Sequence, residues 1–209
     1  AQKLVEKVLM YINKEQYFDV VYYHGGEKTL VNHYMTPIAL NRYLSQKIYL
    51  MLDGDMKTDY VFNEDVLTKN QIEDDKYLER CVKDAYGMCL DTYPDSENGN
   101  GRVDQKCEQY LSYLRYYKTN VFYLPGKMIP EEIILKSNYV DKMYKEILNQ
   151  YRIINAFNAK EVIREISEFD HGDGLHINDT ISVLANKWSQ EESIWKAELI
   201  DMINEIFNK

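Results

Sequence analysis

Apolar residues along the first sixteen positions fall on one face of a helix. They are spaced three or four apart, at Leu4, Val5, Val8, Leu9 and Ile12, with charged residues between them. This spacing predicts an amphipathic helix. The β-branched and aromatic run at 17–23 then predicts a buried strand, which Gly25 and Gly26 end. A helix is predicted from Glu27 to about residue 34, and Pro37 fits the first turn of the next helix.

Two further apolar runs have the length of strands, at 47–52 and 120–124. The segments between them predict an exposed acidic helix at 71–86 and a helix from Asp104, as its cap, to about residue 117. Between these helices, residues 91–103 collect Pro, Asp, Ser, Asn and Gly, which is typical of a mobile loop. Helices that alternate with strands predict an α/β fold with a parallel sheet and helical crossovers.

The last third of the chain has a helical pattern throughout. Pro130 starts a helix, and further helices are predicted at 138–150, 159–168, 178–187 and 190–208, the last with a capping box from Ser189 and Glu192. We therefore expect an α/β domain at 1–136, with an acidic helical insert at about 56–118. A helical C-terminal extension is expected at 137–209.

Composition places the chain among soluble globular proteins. Its 209 residues are 45% hydrophobic and 28% charged, with no run of about 18 apolar residues and no signal-peptide pattern. Three cysteines without zinc-type spacing suit a reducing cytoplasm. The net charge is −9, and residues 53–109 hold 15 acidic and 7 basic residues. A nucleic-acid contact would therefore need a metal ion, a local basic patch or a more basic partner.

The strand at 47–52 ends in a pair of carboxylates separated by one glycine, Asp53-Gly54-Asp55. Side chains two apart on a strand point the same way, so both carboxylates can face one small volume. Gly54 lets another backbone or a ligand approach closely. Three strand ends, at 24–27, 53–55 and 124–132, are expected to converge at one edge of the sheet. Asp53 and Asp55 with Glu131 or Glu132 would form an oxygen-ligand site for Mg²⁺ or Mn²⁺.

The sequence also resembles a known family. A strand, a glycine pair and a helix, followed by a strand ending in Leu52-Asp53-Gly54-Asp55, are similar to a Toprim domain. The stretch 124–132 (LPGKMIPEE) and the helical tail resemble the C-terminal Toprim region of ATP-dependent endonucleases of the overcoming-lysogenization-defect (OLD) type. The resemblance implies a Toprim-like parallel sheet with flanking helices. It also implies metal-dependent cleavage of DNA, an ABC-type ATPase domain N-terminal in the same chain, and a role in antiphage defence.

Carried over residue by residue, the resemblance makes Asp53 and Asp55 the metal ligands and Glu131 the later acidic ligand, with Glu132 as the alternative. A Toprim domain opens with a strand ending in a catalytic glutamate, whereas this chain begins at Ala1 within the first predicted helix. The pattern GxxxxGK[ST] of an ATPase is also absent. We therefore expect a portion of a longer protein that is inactive alone because its metal site is incomplete.

Other candidates and a second function stay open. Lys127 is a candidate for neutralising charge on a scissile phosphate, and His24 for contacting phosphate or a metal-bound water. The alternative function is a Toprim-derived module that no longer cuts and instead binds a partner subunit or assembles with copies of itself. The acidic segment 53–109 favours that alternative. A carboxylate-dependent phosphatase would need Lys and Ser/Thr motifs on later strands, and these are not found.

Overall fold

The computed structural model describes residues 1–23, 25–95, 102–153, 158–172 and 174–209. They form two compact units. We call the first the helical unit, which comprises residues 1–22, 53–55 and 124–209. The second is the sheet unit, which comprises residues 23–52 and 56–123. Each unit is a set of segments that contact one another. The division into domains at 136/137 stays a prediction.

The sheet unit is mostly helical and carries one pair of parallel strands. Strand β1 (Leu50–Leu52) pairs with β2 (Val121–Tyr123), with Leu50 opposite Val121 and Leu52 opposite Tyr123. The helices of the unit are α2 (Gly26–Thr29), α3 (Thr36–Leu40), α4 (Lys69–Ile72), α5 (Asp75–Tyr86) and α6 (Val103–Asn120). A π-helical segment, Leu30–Met35, joins α2 to α3. An α/β architecture with a parallel sheet is therefore confirmed, although only two strands pair among the described residues.

Helices α5 and α6 pack together and form most of the core of this unit. The tyrosines of α6 lie largely inside it, and their hydroxyls donate to backbone carbonyls. Tyr116 donates to Ile48 O at 2.8 Å, and Tyr113 to Asp91 O at 2.9 Å. Tyr86 of α5 donates to Tyr113 O at 2.8 Å. Burial raises the pKa of Tyr86 well above its usual range, so the phenol stays a donor.

The helical unit begins with α1 (Gln2–Tyr11), and the described residues of its C-terminal part form six α-helices. These are α7 (Pro130–Leu135), α8 (Asn138–Met143), α9 (Lys145–Ile153), α10 (Ala159–His171), α11 (Ile177–Ser189) and α12 (Ile194–Phe207). Helix α1 packs against α11 and α12, and α10 packs against α7 and α11. The predicted apolar face of α1 is confirmed, because Leu4, Val8 and Leu9 are buried. Trp188 of α11 is also buried in this core.

The predicted buried strand at 17–23 is wrong. Residues 15–17 form a 3₁₀ turn, and residues 18–23 have no regular structure and are mostly exposed. Among the described residues only β1 and β2 pair, so this run has no strand neighbour to hide its backbone. An aromatic ring next to this run packs against a distant ring instead of lying in a sheet: Tyr17 contacts Phe207, with ring centroids 5.2 Å apart.

Several helix ends also differ from the sequence prediction. Helix α5 is amphipathic rather than exposed, because Leu78, Val82 and Tyr86 are buried. The residue capping α6 is Arg102, and Asp104 lies in its first turn. The last helix is capped by Ser193, whose hydroxyl accepts from Lys196 N at 3.0 Å. Ser189, predicted to cap the last helix, is instead the last residue of α11 and donates to Asn186 O. The prediction was wrong because the helical pattern alone does not show where one helix ends and the next begins.

Two predictions fall wholly or partly outside the described residues. They are the contact expected of His24 and the predicted loop at 91–103, of which residues 96–101 are not described. Within the described part of the chain, no helix is both long and apolar enough to cross a membrane.

Candidate metal centre

The carboxylate pair lies in a turn that follows β1 directly. Strand β1 ends at Leu52, and residues Gly54–Met56 form a 3₁₀ turn. The amide of Gly54 donates to Met128 O at 2.9 Å. A Cβ on Gly54 would lie 2.4 Å from Leu124 O and 2.6 Å from Met128 N, distances that a side chain cannot tolerate. Close approach of a second backbone therefore requires glycine here, as the sequence predicts.

The loop that contacts Gly54 has an unusual backbone. It is the 3₁₀ turn Pro125–Lys127, in which both Gly126 (φ 73°) and Lys127 (φ 53°) are left-handed. A left-handed lysine is uncommon, because its Cβ crowds the backbone. A Cβ on Gly126 would lie 2.9 Å from the Trp195 ring. Packing of Trp195 against this loop thus helps to fix the backbone that positions Gly54.

The two aspartates lie close to each other. One carboxylate oxygen of Asp53 lies within 4.8 Å of one of Asp55. Asp53 is half-buried and Asp55 is exposed. Like charges at this separation repel unless a cation or hydrogen-bond donors neutralise them.

The segment 24–27, also a predicted part of this edge, places Glu27 in the first turn of α2. Gly25, with φ 110°, turns the chain into the helix, so Glu27 is the second helical residue. An acidic residue in the first turn is favoured by the helix dipole. The helix continues through the π-helical segment Leu30–Met35, in which Val31 and Met35 are buried. These two side chains hold the helix in the core of the sheet unit and so fix the position of its first turn.

The donor set fits a hard divalent cation. Mg²⁺ binds oxygen at about 2.0–2.1 Å, so opposite ligands of one ion are roughly 4.2 Å apart, and larger cations allow slightly more. The oxygens of Asp53 and Asp55 lie within 4.8 Å of each other and can reach one ion after small rotations of the carboxylates. Both ligands are carboxylates, which favour Mg²⁺ or Mn²⁺ over zinc or copper.

The structure brings some of the predicted site residues together. Asp53 and Asp55 lie close to each other, whereas neither Glu131 nor Glu132 completes a close group of three carboxylates with them among the described residues. Glu132 Oε2 accepts from Ile129 N at 3.1 Å, so this carboxylate caps α7. Glu131 lies in the first turn of the same helix. Its role as a ligand stays a prediction.

The other two candidates are placed differently. Lys127 is exposed and immediately precedes Met128, whose carbonyl accepts from Gly54. The loop expected to carry a phosphate-neutralising lysine therefore contacts the carboxylate turn. His24 lies outside the described residues.

A cavity of about 520 Å³ lies in the helical unit beside the same loop. Met128 is one of its lining residues, and it also contains two cationic side chains, Lys136 and Arg152. Arg152 pairs with Asp141 at 3.1 Å, and both side chains are more than half exposed. The lining is therefore mixed in charge and open to solvent.

A comparison of the chain with known protein families, curated proteins and solved structures finds no match.

Proposed function

We propose that this chain is a Toprim-like nuclease domain of an OLD-type ATP-dependent endonuclease. It hydrolyses DNA phosphodiester bonds with Mg²⁺ or Mn²⁺, in antiphage defence. Asp53 and Asp55 are the metal ligands, with Glu131 as the predicted later acidic ligand. The observation that carries the proposal is the pair of carboxylates, within 4.8 Å of each other, directly after a strand of a parallel sheet.

The chemistry of the pair supports phosphodiester hydrolysis better than nucleophilic catalysis by the protein. A bound divalent cation polarises a phosphoryl oxygen and lowers the pKa of an attacking water. Asp53 and Asp55 hold their oxygens towards the ion because Gly54 is fixed by its hydrogen bond to Met128 O.

Two further features suit a polymeric anion. Lys127 follows Gly126 in the loop that contacts Gly54, where a cation can offset charge on the scissile phosphate. Lys136 and Arg152 line the cavity beside the same loop, where neighbouring phosphates can bind. A chain with a net charge of −9 needs a local basic patch to contact nucleic acid, and these cations supply one.

Metal affinity and cleavage test the proposal together. Calorimetric titration with Mn²⁺ should show binding that weakens at least about tenfold in Asp53→Asn and in Asp55→Asn. Cleavage of supercoiled plasmid by the full-length protein, with Mg²⁺ and ATP, should be lost in Asp53→Asn. Asp65→Asn is the matched control, since Asp65 is an exposed acid in another short turn.

The outcomes separate the proposal from its alternative. Full cleavage by both Asp53→Asn and Asp55→Asn would reject the nuclease assignment. Absence of Mn²⁺ binding in the full-length protein would favour the non-cutting interaction module instead. Including Glu131→Gln decides whether this predicted ligand acts with the aspartate pair.

A further inference from the structure

The turn between α10 and α11 brings two histidines and an aspartate together. Helix α10 ends at His171, and Gly172 (φ 79°) turns the chain with its amide bonded to Glu168 O at 2.8 Å. A 3₁₀ turn, Gly174–His176, then leads into α11. The ring centroids of His171 and His176 lie 5.0 Å apart, with the ring planes tilted by 45°. His176 Nδ1 lies 3.3 Å from Asp179 Oδ2.

We propose that His171, His176 and Asp179 form a binding site for a transition-metal dication, with Zn²⁺ as the type ion. This site is separate from the aspartate pair described above. It needs no assumption about the nuclease activity. A water would complete the coordination, as in zinc sites with three protein ligands.

The spacing of the two rings suits a shared ion. Zinc binds imidazole nitrogen at about 2.0–2.1 Å, which puts two imidazoles on one tetrahedral ion at a centroid separation of roughly 5 Å. The observed separation of 5.0 Å matches that value. Asp179 already contacts the second ring, so the acidic ligand is adjacent as well.

The ligands are held by the backbone but can still rotate. Side chains of His176 and Asp179 are 51% and 77% exposed. In the part of the chain that the structure describes, these three residues do not yet have all ligand atoms within 4.8 Å of one another. Rotation of the exposed side chains therefore completes the site, and such rotation is inexpensive at a surface.

The donor set predicts which ions bind. Imidazole nitrogens favour zinc, copper and nickel, whereas Mg²⁺ prefers oxygen ligands. The carboxylate pair of Asp53 and Asp55 has the opposite preference. The protein would therefore bind two kinds of dication at two places, and an excess of Mg²⁺ should not displace Zn²⁺ from the histidine turn.

Binding here would join two consecutive helices of the helical unit. Helices α10 and α11 pack together, with Ile163 and Ile166 buried on one and Leu184 on the other. An ion held by residues on both sides of the turn binds the folded form only, so it should raise the melting temperature with its concentration.

The test is a titration with Zn²⁺ in the presence of excess Mg²⁺. We expect one Zn²⁺ to bind per chain, and the affinity to fall at least about tenfold in His171→Ala and in His176→Ala. In an NMR experiment, Cu²⁺ should selectively broaden the ring-proton signals of His171 and His176. The signals of His33, an exposed histidine of the sheet unit, should be unaffected.

Matched controls make the result decisive. His33→Ala and Asp201→Asn remove an exposed histidine and an exposed helical aspartate elsewhere, and both should leave Zn²⁺ affinity unchanged. Asp53→Asn should leave it unchanged as well, which separates this site from the aspartate pair. Unchanged affinity in the double variant His171→Ala/His176→Ala would overturn the proposal, as would equal broadening of every histidine signal.

Discussion

Two short acidic stretches, 53–55 and 73–75, have similar composition but use their carboxylates differently. In the second, Asp74 caps α5: its side chain accepts from Lys76 N and Tyr77 N, both at 3.0 Å. In the first, Asp53 and Asp55 lie close to each other. The charge of a carboxylate that accepts hydrogen bonds from helix amides is stabilised by those amides. Carboxylates that lie close to one another repel, and a bound cation relieves this repulsion.

Glu64 shows a third arrangement, in which another side chain supplies the cation. Arg115 donates to both oxygens of Glu64, with Nε at 2.8 Å from Oε2. This guanidinium lowers the pKa of Glu64 below its usual range. The three cases show that acidic content alone does not indicate a metal site. What matters is whether amides, a guanidinium or other carboxylates surround the group.

The largest expected effect comes from removing charge at the first stretch. Asp53→Asn and Asp55→Asn should each lower metal-dependent cleavage by the full-length protein at least about 100-fold, since even residues behind the ligands change activity 10–100-fold. Asp74→Asn should leave cleavage near the wild-type rate. The comparison fails if Asp74→Asn lowers cleavage as much as Asp53→Asn does, in an assay of plasmid nicking with Mg²⁺.

The next largest effect tests the backbone that holds the first stretch. Gly54→Ala should lower the free energy of unfolding by about 3 kcal/mol, because its Cβ would meet fixed backbone atoms on two sides. Gly87→Ala is the control for conformation alone: Gly87 has φ 69°, and a Cβ added there would meet no atom within 4 Å. It should cost about 1 kcal/mol. Urea denaturation measures both, and equal costs would show that the close approach at Gly54 is unimportant.

A smaller effect is expected from removing the cap of the second stretch. Asp74→Ala should destabilise the protein by about 1 kcal/mol, because two amides of α5 lose their acceptor. Glu73→Ala should change the unfolding free energy by less than about 0.5 kcal/mol, since its pair with Lys69 at 3.7 Å is exposed. Thermal denaturation with Mg²⁺ absent compares the two. Equal losses would mean that Asp74 does not act as a cap.

The smallest effect concerns Glu64 and depends on pH. Its lowered pKa means that the bond to Arg115 stabilises the protein above the usual pKa range of glutamate, and that this contribution is lost as the pH falls. Because the pair is partly exposed, Glu64→Gln should cost only about 0.5 kcal/mol at pH 7. Unfolding measured from pH 7 to pH 3 should show the difference between variant and wild type shrinking. A difference that stays constant with pH would contradict this account.

The periodicity of apolar residues was enough to locate most helices and both paired strands. The apolar face of α1, the strand ends at Leu52 and Tyr123, and Pro130 at the start of α7 all follow from local preference. The segment 17–23 did not follow, although its residues favour a strand. A strand needs a neighbour to pair with, and that neighbour is a property of the whole fold.

The candidate site divides in the same way. Asp53 and Asp55 could be chosen from sequence, because two carboxylates around one glycine, directly after an apolar run, are a local pattern. The structure places them in a turn after β1 and not on the strand itself, so strand alternation is not what brings them together. Glu132 was a reasonable candidate by residue type, yet the structure uses it to cap α7.

The sequence by itself determined the helical pattern, the parallel α/β order and the carboxylate pair with its glycine. These depend on side-chain periodicity and on the missing Cβ of Gly54, which are local properties. The tertiary structure decided that the Cβ-free face of Gly54 meets Leu124 and Met128. It also decided that the rings of His171 and His176 lie 5.0 Å apart. Such meetings depend on packing between distant segments, which no local pattern records.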